Sequence, residues 1–62
     1  MTRKYRFEIF RDANREWRFR FVAPNGRIIA TGESYRTRFG CMKAIKSIKK
    51  HAADAEIVRE ER

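Results

Sequence analysis

Hydrophobic and polar residues alternate position by position through much of the first half of the chain. Between Lys4 and Phe10, the side chains of Tyr5, Phe7 and Ile9 fall on one side and those of Lys4, Arg6 and Glu8 on the other. That is the period-two signature of a half-buried strand. A second run, residues 16–22, sets Trp17, Phe19 and Phe21 against Arg18 and Arg20, and so predicts a strand with one greasy and one cationic face. Asp12-Ala13-Asn14-Arg15 lies between the two runs. Asp and Asn tolerate tight turns, so this stretch closes a hairpin. Ala23-Pro24-Asn25-Gly26 turns the chain again, and Arg27-Ile28-Ile29-Ala30-Thr31 makes a third strand. Two successive hairpins predict a three-stranded antiparallel meander.

Beyond Gly32-Glu33-Ser34 the hydrophobic period lengthens to that of a helix. From Thr37 to His51, Cys41, Ile45, Ile48 and Ala52 form one apolar stripe with Met42 beside it, as on the buried side of a surface helix. Thr37 or Ser34 supplies the N-cap. Lys49, Lys50 and His51 put cations in the last turn, where the helix dipole favours them. Ala55-Glu56-Ile57-Val58 alternates once more and is expected as a short fourth strand, with residues 59–62 a frayed tail. The fold class is α+β in the order β-β-β-α-β, a single domain over residues 1–62 with its core in residues 4–58. A helix of about four turns is a small lid for Tyr5, Phe7, Ile9, Trp17, Phe19 and Phe21. A contiguous aromatic face left open to water is disfavoured on a monomer, so a homodimer is expected.

Composition narrows the options. A chain of 62 residues buries a modest share of its surface and needs a disulfide, a metal or a partner to be robust. Cys41 is the single cysteine and His51 the single histidine; they allow no intrachain bridge and no structural zinc set, and no cofactor is implied. That leaves oligomerisation. The free thiol points to the cytoplasm. Apolar stretches of about three residues fall short of the roughly 7–15 of a signal peptide and the roughly 20 of a spanning helix, so no targeting segment and no membrane partner are expected. Sixteen Lys and Arg stand against eight Asp and Glu, a net charge of +8. Such an excess favours polyanions, nucleic acid first among them, although a merely soluble charged surface accounts for it equally well.

The helix carries the leading candidate site. At about 100° per residue, Arg36, Lys43, Lys46 and Lys50 cluster opposite Ile45 and Ile48, with Phe39 among them. Cations neutralise phosphates, and a ring offers a base a stacking surface. The bland alternative is a solvated cationic face with Phe39 tucked under the Tyr35 loop or into a partner. A second candidate is the sheet face bearing Arg6, Arg18 and Arg20, where Glu8 is placed to pair with an arginine across the strands. Cys41 and His51 are ten residues and about 15 Å apart on one helix, too far to act as nucleophile and base within a chain. The expected protein is therefore not an enzyme. Asp12 to Glu16 lacks the glycine and distal glutamate of a calcium loop, and Gly26, Gly32 and Gly40 stand singly, so no phosphate-cradling loop is present. Two further readings remain open: a structural or protein-interaction module with incidental charge, and a small-molecule site at a dimer seam lined by Trp17, Tyr5 and Tyr35.

The order of Phe7-x-Ile9-Phe10, Glu16-Trp17-Arg18-Phe19-Arg20, Asn25-Gly26-x-Ile28-Ile29-Ala30, Glu33-x-Tyr35 and Cys41-x-x-Ala44-Ile45-x-Ser47-Ile48-Lys49-Lys50, followed by Ala53-Asp54-Ala55, resembles the YegP-like family of small uncharacterised proteins over residues 5 to 58. The resemblance implies a β-β-β-α-β unit that occurs as two tandem copies or as one copy that pairs with itself. For this single copy it implies a homodimer imitating the tandem form, with terminal strands shared between subunits. It implies no activity. Lys46, Lys43 and Phe39 stand where the family tends to carry an acid, a neutral polar residue and a small residue. Between Glu33 and Asp54 the chain has no acid at all, so a polyanion role belongs to this member and not to the family at large.

Overall fold

Two turns of the same design lay the first three strands side by side. In the computed structural model, which describes residues 4–60, β1 (Arg6–Arg11), β2 (Trp17–Val22) and β3 (Ile28–Thr31) form an antiparallel sheet in the order β1-β2-β3. The first hairpin closes when the Arg15 N–H donates to the Asp12 carbonyl at 3.0 Å and the Asp12 N–H to the Glu16 carbonyl at 2.9 Å. The Asp12 carboxylate also accepts the N–H groups of Asn14 and Glu16, at 2.8 and 3.0 Å. The second hairpin repeats the scheme, Gly26 N–H to Ala23 carbonyl and Ala23 N–H to Arg27 carbonyl, both at 2.9 Å. Each has the pattern of a type I turn followed by a left-handed bulge residue. That residue is Gly26 (φ 89°) in one and Arg15 (φ 61°) in the other.

Phe7 lies opposite Phe21, Ile9 opposite Phe19 and Arg11 opposite Trp17, so the alternation of the two runs combines into one aromatic face. Between β2 and β3 the register breaks: Phe21 faces Ala30 while Val22 faces Ile28, and Ile29 is the extra, bulged residue. Past Thr31 the chain keeps to the edge of β2. The Gly32 N–H donates to the Phe19 carbonyl at 2.9 Å, and Trp17 and Tyr35 exchange backbone bonds at 2.7 and 2.8 Å. The Phe19 ring lies against Gly32 so closely that a methyl group there would overlap it.

Helix α1 (Arg38–His51) begins at Thr37, whose hydroxyl accepts the Gly40 N–H at 3.0 Å. Of the two expected caps, Thr37 is the one used. A single 3-10 turn, Ala52–Asp54, ends the helix. The helix rests on β2, where Cys41 and Ile45 bury against Phe19, with Phe7, Ile9, Trp17, Tyr35 and Ala44 packed around them. The predicted stripe does not stay covered to its end. Ile48 is 40% exposed and Ala52 is exposed, because the last turns of the helix overhang the sheet.

One expected element is missing from the single chain. Residues 55–58 run on from an extended Ala55 (φ −69°, ψ 136°) without joining the sheet, and Ile57 is 99% exposed. A strand needs a neighbouring edge to satisfy its backbone, and among the described residues none lies alongside this segment. Residues 59 and 60 adopt no regular structure. The rest of the expected frayed tail, residues 61 and 62, lies outside the described residues.

Candidate polyanion-binding surface

The outer ridge of α1 is built by spacing alone. Phe39, Lys43, Lys46 and Lys50 follow one another at intervals of four, three and four residues, the step at which helical side chains stack on one face. Nine residues separate Phe39 from Ile48, half a turn at about 100° each, so the ridge points directly away from the sheet. All four side chains are exposed, the Phe39 ring to 77%. The ridge is about 16 Å long. Arg36 stands exposed in the bend before the helix, and the first helical turn contains no acid. No carboxylate on the helix relieves this field.

Phe39 does not tuck beneath the loop of Tyr35. The Tyr35 ring turns inward instead, stacking on Phe19 with centroids 6.4 Å apart, while its backbone is held by Trp17. The ring of Phe39 is thus left on the surface among the cations.

The cationic face of the sheet is differently arranged. Glu8 sits between Arg6 and Arg20 and accepts from the Nε of each at 2.7 Å. The hydrogen bond from Arg20, and then that from Arg6, hold its carboxyl below the ordinary glutamate range. The Arg20 guanidinium also lies 5.0 Å from the centre of the Phe10 ring. Arg18 donates to the Gly32 carbonyl at 3.3 Å, and its Nε is buried without a partner among the described residues. The three arginines named from sequence are therefore together, but two share one carboxylate and the third bonds to backbone. Their charge is engaged, whereas that of the helix ridge faces water.

On the inner face, Tyr5, Phe21, Phe7, Phe19 and Tyr35 follow one another as ring neighbours at 4.8 to 6.4 Å. The helix covers this row only in part. Beneath its overhanging end opens an apolar groove of about 480 Å³, floored by Phe7, Phe19 and Phe21 and walled by Ala30, Ile48 and Ala52. Of the six large residues on the face, only Phe19 is fully buried. β3 also presents Ile28 and Ile29, each 55% exposed, with Ile28 beside Arg6, Glu8, Arg20 and Val22 on the cationic side of the sheet. Sequence reasoning missed this apolar edge. Its signal was the adjacent Ile28-Ile29 pair, which breaks strict alternation at the bulge.

Tyr5, Trp17 and Tyr35, considered together as a small-molecule lining, are not brought together in one chain. Tyr5 stacks on Phe21 near the start of β1, whereas Trp17 and Tyr35 meet at the opposite end of β2. Cys41 is wholly buried, and burial pushes its thiol pKa up; His51 is exposed in the last turn. Among the described residues no cluster of three or more His, Cys, Asp or Glu could hold a metal, and no helix is long and apolar enough to cross a membrane.

Comparison with known proteins places this architecture. Residues 12–58 match the model of a domain of unknown function, DUF1508. A UPF0339 protein of Treponema denticola is 45% identical over 53 residues, spanning 86% of this chain and 91% of that protein. A second, from Methanosarcina acetivorans, is 42% identical over the same shares of both chains. The solution structure of a protein from Haloferax volcanii superposes with a TM-score of 0.85 at 37% identity, covering 94% of this chain and 98% of the other.

Proposed function

The chain belongs to the DUF1508 family, the YegP-like group that its motifs resemble, and within it we propose a non-enzymatic, cytoplasmic module that pairs with a second copy of itself and holds a polyanion, nucleic acid foremost, on the outer ridge of α1. One observation carries the ligand: Lys43, Lys46 and Lys50 align on a single exposed face, with no acid between Glu33 and Asp54 to offset them. A row of unopposed cations on a rigid rod is suited to displacing the counterions of a phosphate backbone.

The uncovered inner face supports the pairing. β3 is an edge strand of the sheet, the groove opens beside its Ala30 and Thr31, and residues 55–58 leave the fold without pairing to any strand among the described residues. In the paired form, this segment of each copy adds to the β3 edge of the other, and Ile57 enters the groove. An open edge is a ready template for such addition. Because the groove and the ridge lie on opposite sides of α1, pairing leaves both ridges outermost and doubles the cationic surface.

Titration of labelled DNA and RNA oligonucleotides at low and moderate salt tests the ligand. The wild type is expected to bind, with affinity falling steeply as salt rises. Replacing Lys43, Lys46 and Lys50 together by Gln is expected to weaken binding at least tenfold and to reduce the salt slope by about two to three, with the circular dichroism unchanged. Absence of binding at low salt rejects the ligand, and unchanged affinity in the triple variant clears the ridge. Association with a protein that survives high salt and nuclease would instead favour an interaction module.

A further inference from the structure

We infer that the polymer on this ridge is single stranded, with an unpaired base stacked on Phe39 and the following phosphates running past Lys43, Lys46 and Lys50; this rests on the polyanion reading of the same face. The lysines alone make no such distinction, since any phosphate polymer satisfies them. Phe39 does. Its ring is 77% exposed, in line with the lysines, and fixed on the first turn of a helix whose cap is closed by Thr37. Among the described residues no ring or guanidinium packs on it. Tyr35 is turned to Phe19, and the apolar groove opens beside Ile48, half a turn around the helix, so a copy seated there would not reach it.

A duplex keeps its base faces in its own stack and can offer this ridge only phosphates. A single strand offers both, and stacking on an aromatic side chain is the usual way such strands are held. The ridge also lacks the side chains that read base edges. No Asn or Gln occurs in α1, and its ridge cations are lysines, point charges on flexible stems with no bidentate fork. Binding is accordingly tolerant of sequence. A ridge of about 16 Å gives each subunit a footprint of a few nucleotides.

Fluorescence anisotropy on the full chain separates this inference from its premise. The probes are a labelled mixed-sequence single strand, the matched duplex, and heparin as a polyanion without bases. The wild type is expected to prefer the single strand. Phe39→Ala should lose about tenfold for the single strand, the order of one lost stack, and change less than twofold for duplex and heparin. Phe39→Trp should keep single-strand affinity, and its indole emission should be quenched by the single strand and not by heparin. Because the ring is exposed, the alanine variant is expected to fold, which its circular dichroism checks. Equal loss for all three probes, no loss for any, or a duplex bound as tightly as the single strand overturns the inference and leaves the polyanion reading standing. Failure of the wild type to bind any probe at low salt overturns both.

Discussion

Arg15 shows what a single residue can be made to do by its neighbours. Its φ of 61° is left-handed, a region that costs a residue with a Cβ roughly 1–2 kcal/mol. The hydrogen bonds collected by Asp12 hold it there. The second hairpin puts Gly26 at the equivalent place, where the same bend comes without that cost. Arg15→Gly is therefore expected to raise stability by about 0.5–1 kcal/mol, after allowing for glycine's freer unfolded chain, read as an upward shift of the urea midpoint. No change, or a fall, would show that the Arg15 side chain contributes more than its backbone loses. The turn itself was legible, since Asp12, Asn14, Pro24 and Gly26 are turn residues. The strain was not, because nothing about an arginine announces a positive φ. Phe39 was legible in position but not in fate: spacing put it among the lysines, and only the inward turn of Tyr35 shows that it stays uncovered.

At the level of strands and helix, period was a sound guide and pairing was not. Alternation located β1, β2 and β3, and the longer period located α1 to within about a residue. The apolar stripe, however, named four positions where the sheet covers two, Cys41 and Ile45, since a pattern records a face and not how far its cover extends. The bulge at Ile29 and the unpaired residues 55–58 escaped for the same reason: both depend on which edge lies alongside. Glu8 illustrates a cross-strand effect with a measurable sign. Its carboxyl, held by Arg20 and Arg6, titrates lower in the folded chain than in the unfolded one. The unfolded chain therefore binds the proton first on acidification. The stabilisation is present above the ordinary carboxylate range and is lost as pH falls through the lower folded value. Unfolding midpoints from about pH 5 to about pH 3 should fall, and fall less in Glu8→Gln. Added salt should shrink the difference, since the pair is open to solvent. Identical pH profiles for the two proteins would contradict this role for Glu8.

For the molecule as a whole, the decisive fact is an imbalance between surfaces. A sheet face with six large apolar side chains is capped by a helix that fully buries one of them, and an apolar groove lies open beside it. On the other side of the same helix the charge is unopposed. In the proposed pairing, a second copy covers the first exposure and leaves the second outward, which joins assembly and ligand binding in one proposal. That imbalance was foreseeable from sequence as a lid too small for its face; the exposure of Ile28 and Ile29 on β3 was not. Light scattering on the eluting protein at micromolar concentration tests it most directly. A mass of about 15 kDa, twice the 7.5 kDa chain, falling to that of the single chain when Ile57→Asp places a charge in the groove, is the predicted result. A stable, folded particle of 7.5 kDa across that concentration range would contradict the account.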